Sequence, residues 1–72
     1  MVNLNKLKGK IVEKGINVTE LAKMINVDAS TLYRKFSNDG ATITIREADL
    51  IVKFLNLTAD EANAIFFSQF VA

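Results

Sequence analysis

The side chains of this 72-residue sequence that could do chemistry are hydrogen-bonding groups and cations. Histidine and cysteine are absent, which excludes imidazole general-base catalysis, thiol nucleophiles, disulfides and zinc sites built on those residues. The serines and threonines offer no activated nucleophile, and the glycines at positions 9, 15 and 40 form no phosphate-binding loop. We therefore expect a protein that is not an enzyme and that has no metal, cofactor or small-molecule ligand.

The charges of the sequence are divided unevenly between its two halves, although the net charge is only +1. Residues 1–36 carry seven lysines and arginines against three acidic residues, whereas residues 37–72 carry two against five. Such an asymmetry favours a surface that meets a polyanion on one side. The alternative is that these cations only keep a small domain in solution.

The length and the hydrophobic pattern predict one all-α domain, a compact bundle of five short helices over residues 1–72. Apolar residues at helical spacing place helices at 4–14, 18–25, 29–37, 45–55 and from 59 to 67 or 68. Val12 is expected on the apolar face of the first helix and Ile45 on that of the fourth. The turn residues 38–40 could instead open a hairpin, but 33–37 offer no alternating partner strand. The predicted N-caps are Asn3, Asn17, Asp28, Thr44 and Thr58, and caps also account for Glu20, Glu47 and Glu61.

Residues 17–37 have the spacing of two short helices that meet at a tight turn. Ala22 supplies a small residue where the helices cross, and Asn26, four positions on, tolerates the left-handed backbone of the turn. Val27, directly after the turn, is expected to pack into the core, and Leu32 is the apolar residue midway along the second helix. This spacing predicts a helix-turn-helix, whose second helix enters the major groove of DNA.

The segment TELAKMINVDASTLYRKF resembles the helix-turn-helix of the lambda-repressor-like superfamily, the Xre/Cro group of phage and prophage regulators. The flanking segments LKGKIVEKGI and TITIREADLIVKFLNLTADEANAIFF are similar to the first, fourth and fifth helices of that family. The resemblance covers residues 4–67. It departs from the family at Asn26, where glycine is usual, and at Val18, where a glutamine often contacts DNA.

The resemblance implies that the second motif helix presents its side chains to double-stranded DNA. Arg34 would bind guanine O6 and N7, Ala29 a thymine methyl group, and Tyr33 a sugar, a phosphate or a thymine methyl group. Thr31 and Lys35 would contact phosphates. Because Val18 cannot make the hydrogen bond of the missing glutamine, either the affinity for DNA is lower or Asn17 and Thr19 replace that contact. Taken without the resemblance, Arg34 could be a solvated residue paired with Asp39, and Tyr33 a half-buried helix residue. The implied DNA contacts are Ala29, Ser30, Thr31, Tyr33, Arg34, Lys35, Ser37, Asn38, Asn17 and Thr19.

The C-terminal segment is unusually aromatic for so small a domain. Phe66 and Phe67 are adjacent and point about 100° apart on a helix, whereas Phe66 and Phe70 share a face. An exposed apolar patch of this kind predicts a two-fold homodimer. Two recognition helices would then lie about 34 Å apart and match a palindromic operator. Alternatively, the segment folds back and buries all three rings.

Together these features predict a cytoplasmic, sequence-specific, double-stranded DNA-binding transcriptional regulator. It would be Cro-like or repressor-like, come from a phage or mobile element, and act by operator occupancy. The alternative is a protein-interaction module, such as an antirepressor or assembly subunit, that keeps the helix-turn-helix fold without binding DNA. No apolar run is long enough for a membrane span and no signal peptide is visible.

Overall fold

The computed structural model describes residues 2–67, which form five α-helices. The predicted all-α class is confirmed, and the predicted helix ends are within one or two residues of the observed ones. The alternative hairpin is wrong, because 38–44 form a turn that leads into a helix and residues 2–67 contain no strand. The helices are α1 (Leu4–Glu13), α2 (Val18–Met24), α3 (Ala29–Ser37), α4 (Ile45–Leu55) and α5 (Ala59–Phe66).

Every helix begins at a polar side chain that accepts a hydrogen bond from a backbone N–H group of its first turn. At α2, α4 and α5 the third helical residue is a glutamate whose carboxylate accepts in return from the backbone of the cap. These reciprocal bonds satisfy N–H groups that have no partner inside the helix. The caps are the predicted ones: Asn3, Asn17, Asp28, Thr44 and Thr58.

The first four helices end at a residue in the left-handed conformation. At the turn between α2 and α3, Asn26 has φ +60°, and the N–H of Val27 donates to the carbonyl of Ala22 at 2.9 Å. This is the closed turn that glycine usually allows, and asparagine adopts it at small cost. The chain therefore reverses within a few residues and sets α3 across α2. The left-handed residues at these four helix ends are Gly15, Asn26, Asp39 and Asn56.

The core lies between the five helices and consists of buried aliphatic residues with one aromatic ring. Two predictions about it are wrong: Val12 is 75% exposed and Ile45 is 81% exposed. Val12 is rotated about 100° from buried Ile11, and Ile45 about 120° from buried Ile51, so both lie outside the arc that faces the core. The core residues are Leu7, Ile11, Leu21, Ala22, Ile25, Leu32, Phe36, Ile51, Leu55, Leu57 and Ile65.

The loop between α3 and α4 is held by a glycine that no other residue could replace without strain. Gly40 is buried, has φ +71°, and leaves no room for a side chain, since a Cβ would lie 2.9 Å from the Cβ of Val2. Its N–H donates to the carbonyl of Lys35 at 2.9 Å. The start of α4 is thereby fixed next to the end of α3.

Helices α1 and α5 are joined by a polar contact as well as by the core. The N–H of Asn3 donates to the carbonyl of Ile65 at 2.7 Å, and the ammonium group of Lys10 forms salt bridges with Glu13 and Glu61. The Lys10 hydrogen bond, supported by the backbone of Thr58, lowers the pKa of Glu61 to about 2. The same contacts raise the pKa of Lys10.

The salt bridge between Lys10 and Glu61 should stabilise the folded chain at neutral pH and lose this effect in acid. Because the pKa of Glu61 is lower in the folded chain than its ordinary 4.5, the stabilisation is present above pH 4.5 and is lost as the pH falls towards 2. We expect Glu61→Gln to melt below the wild type at pH 6, and the two melting temperatures to converge by pH 2. Thermal denaturation followed by circular dichroism between pH 2 and 7 measures both curves. Asp60→Asn is the matched control, and a gap that persists at pH 2 would contradict the assignment.

Candidate nucleic-acid interface

Helix α3 has one face in the core and the opposite face in solvent. Leu32 and Phe36 are buried, one turn apart, whereas Tyr33, Arg34 and Ser37 are exposed. The helix contains nine residues and no carboxylate. The exposed face is therefore polar and positively charged, and it is presented by a helix that the core keeps in place.

At the first turn of α3, Asp28 holds the side chain of Ser30. The carboxylate oxygen Oδ1 accepts from the Ser30 hydroxyl at 2.5 Å and from the Ser30 backbone N–H at 2.9 Å. These bonds lower the pKa of Asp28, so its carboxylate is ionised at neutral pH. Because the hydroxyl proton of Ser30 is engaged, the oxygen is available mainly as a hydrogen-bond acceptor.

A side-chain hydrogen bond links the two helices of the motif on their exposed side. The hydroxyl groups of Thr19 on α2 and Tyr33 on α3 lie 3.3 Å apart, and Tyr33 is 49% exposed. The sequence allowed Tyr33 to be either a DNA contact or a half-buried helix residue. In the structure its ring is about half exposed, and Thr19 helps to orient it. Neighbouring Val18 packs partly against the core. Its side chain has no polar atom, so it cannot make the DNA contact of the glutamine that is usual at this position.

Asn17 caps α2 through its side-chain oxygen and not through its amide nitrogen. Its side-chain oxygen accepts from the N–H of Glu20 at 2.8 Å, which leaves the amide NH₂ group directed away from that bond. At the other end of the motif, the Ser37 hydroxyl donates to the carbonyl of Tyr33 at 3.0 Å, and Asn38 is exposed at the C-cap of α3. Polar groups therefore extend from the start of α2 to the end of α3.

The two cations of α3 have different partners. Within residues 2–67 the guanidinium of Arg34 forms no salt bridge, so the alternative pairing with Asp39 is wrong for the described structure. The ammonium group of Lys35 instead donates to both carboxylate oxygens of Glu47, at 2.7 and 2.8 Å. The sequence assigned Glu47 only a capping role, because two residues on separate helices give no local signal of contact.

Two of the three phenylalanines assigned to a dimer interface, Phe66 and Phe67, lie at the end of α5 beside α4. Phe66 packs against the core from the end of α5, and Phe67 is 51% exposed. Both line a shallow apolar cleft with Ile45 and Ala48 of α4. Phe70 lies outside the described residues.

The arrangement of α2 and α3 agrees with the comparison with protein families. A family model described as helix-turn-helix matches residues 7–61, about three quarters of the chain. The chain belongs to this family. The family is the lambda-repressor-like group of DNA-binding regulators that the motif resembled. No curated protein and no protein of known structure matches the chain.

In this helix-turn-helix domain α2 is the first motif helix and α3 the second. The matched segment begins at Leu7 in α1 and ends at Glu61 in α5, so it includes both motif helices and the turn between them. None of the helices in the described part of the chain is long and apolar enough to cross a membrane.

Proposed function

We propose that this helix-turn-helix domain is a sequence-specific regulator of transcription that binds double-stranded DNA through α3. The observation that carries the proposal is the exposed face of α3, which is polar, contains no carboxylate and is fixed by two buried residues on the opposite side. An α-helix fits the major groove, where each base pair displays a distinct pattern of donors and acceptors.

The side chains on the outer side of α3 each support a particular kind of contact, and partly buried Ala29 lies at the edge of that face. Arg34, which has no salt bridge among the described residues, has the planar donors that fit guanine O6 and N7. Ser30 is prepared to accept from a base amino group, because Asp28 engages its proton. Ala29 offers a methyl group to thymine. Tyr33 directly precedes Arg34, and Ser37 is the last residue of the helix.

The polar residues on either side of this face suit phosphate contacts. The amide donors of Asn17, which are not used in the α2 cap, and the hydroxyls of Thr19 and Thr31 flank the exposed face of α3, and Asn38 follows it. Such contacts fix the register of a protein on the duplex but do not read its sequence. Together with the base contacts, they would place α3 in one orientation.

We infer that the regulator acts as a homodimer. One nine-residue recognition helix reads only one half-site, and two copies about 34 Å apart would match a palindromic operator. Ile45 and Phe67 are 81% and 51% exposed and line the same cleft, which supports a self-complementary apolar contact there. The mechanism would be operator occupancy by a Cro-like or repressor-like protein of a phage or mobile element, acting on DNA in the bacterial cytoplasm.

A dimer interface in this cleft predicts that a glutamate substitution inside the cleft weakens self-association, whereas one outside it does not. We expect Phe67→Glu to weaken self-association at least about tenfold, because an unpaired carboxylate would be buried in the apolar contact. Val12→Glu is the matched control, since Val12 is 75% exposed outside the cleft. Sedimentation velocity at several concentrations measures both. If the Val12→Glu dimer dissociated and the Phe67→Glu dimer did not, the interface would lie elsewhere.

Selection from random duplex DNA by the purified protein tests the function itself. The proposal expects enrichment of a palindromic motif that contains a guanine in each half. If no sequence is enriched even at low salt, where phosphate attraction is strongest, the regulator is ruled out. The alternative of a protein-interaction module without DNA binding would then replace it.

A further inference from the structure

Helix α3 carries two adjacent cations, Arg34 and Lys35. Among the described residues, Lys35 is paired with a carboxylate and Arg34 is not. The Lys35 side chain is 18% exposed and the Glu47 side chain 12% exposed, and both carboxylate oxygens are within 2.8 Å of the ammonium nitrogen. Arg34, one residue earlier, is exposed. The helix thus has one free positive charge on its outer side and one that is neutralised from α4.

Glu47 is itself fixed, so it does not move aside easily. Its Oε1 accepts from the N–H of Thr44 at 2.9 Å, and its own N–H donates to the Thr44 hydroxyl at 3.1 Å. Partial burial alone would raise the pKa of Glu47, but the bonds from Lys35 and Thr44 outweigh it and lower the pKa. The carboxylate therefore remains charged at neutral pH and stays in place as part of the α4 cap.

We propose that Glu47 withholds the Lys35 ammonium from DNA phosphates and thereby limits the affinity of the domain for duplex DNA of any sequence. This inference rests on the proposed DNA-binding function. The sequence predicted a phosphate contact for Lys35 and only a capping role for Glu47. The inference replaces both assignments.

The physical reason is that phosphate contacts strengthen binding to every sequence equally. Each neutralised phosphate adds about 0.9 to the slope of log affinity against log salt, without any discrimination between bases. A phosphate could take Lys35 only by leaving the partly buried Glu47 carboxylate unpaired and close to a second anion, which is costly. Glu47 thereby lowers the affinity for every duplex by a similar factor, while the base-reading side chains of α3 are unaffected.

Glu47→Gln tests the proposal, because glutamine preserves the capping bonds and removes the charge. Binding to the selected duplex and to random-sequence duplex is measured by fluorescence anisotropy from 50 to 200 mM salt. We expect the salt slope on random DNA to steepen by about 0.9 and its affinity at 50 mM to rise about threefold or more. The affinity for the selected duplex should rise by a similar factor, because the added phosphate contact does not discriminate between sequences, and the ratio of specific to non-specific affinity should stay the same. Thermal denaturation establishes that the variant is folded.

Two further variants separate this effect from a general gain of charge. Glu61→Gln changes the net charge equally and also keeps its cap, but it frees Lys10 between α1 and α5, so its slope should remain that of the wild type. Lys35→Gln combined with Glu47→Gln should return the slope to the wild-type value.

Three results would overturn the inference. One is an unchanged slope in folded Glu47→Gln. Another is an equal rise in Glu61→Gln. The third is a double-variant slope about one unit shallower than that of the wild type, which would mean that Lys35 already contacts a phosphate. In each case a wild type that still binds its selected duplex leaves the proposed function intact, whereas failure of the wild type to bind any duplex overturns both.

Discussion

Leu32→Ala is expected to remove a large part of the stability of this domain and, with it, DNA binding. Leu32 is completely buried midway along α3, and a buried leucine replaced by alanine typically costs about 2–5 kcal/mol. A chain of this length has a free energy of unfolding of roughly 4–11 kcal/mol at the usual stability per residue. Urea denaturation followed by circular dichroism measures the loss.

Two controls distinguish a packing defect from a general effect of changing α3. Leu32→Met nearly conserves volume and should cost less than about 1.5 kcal/mol. Ser37→Ala changes an exposed residue of the same helix and should lie within about 0.5 kcal/mol of the wild type. If Leu32→Ala unfolded at the wild-type urea concentration, the core would not be what anchors the recognition helix, and the orientation of its outer face would be unsupported.

The elements of this fold could be predicted because their ends are set by short-range interactions. Asn17 and Thr44 bond to groups three residues away, and Asn26 closes its turn with bonds inside the same segment. Such signals survive in the sequence without knowledge of the rest of the chain. The predicted helix-turn-helix followed from the same local spacing around Ala22 and Leu32, and the family match confirms it.

What could not be predicted depends on how the helices pack against one another. Lys35 and Glu47 are twelve positions apart on different helices, and Lys10 and Glu61 are at nearly opposite ends of the chain. Opposite charges are common, so no pattern selects these pairs. Ile45 was misplaced for a related reason, because a wide apolar stripe does not show which of its edges the neighbouring helices leave uncovered.

Arg34→Ala is expected to have the largest effect on sequence discrimination. A bidentate contact between arginine and guanine contributes about 1–3 kcal/mol, so the affinity for the selected duplex should fall about 5- to 150-fold. Repeating the selection with the variant should relax one guanine position in each half-site and leave the others unchanged. The guanidinium is exposed and forms no salt bridge among residues 2–67, so we expect its removal to change the stability little.

Arg34→Lys separates the geometry of the side chain from its charge. Lysine keeps the positive charge but lacks the planar pair of donors, so affinity for random DNA should be retained while discrimination at the guanine is reduced. Lys53→Ala, which removes an exposed cation from the last turn of α4, should weaken binding slightly and leave the selected motif intact. If Arg34→Ala and Lys53→Ala weakened all duplexes equally and selected the same motif, Arg34 would act only as a charge. The guanine would then have to be read by another residue of α3.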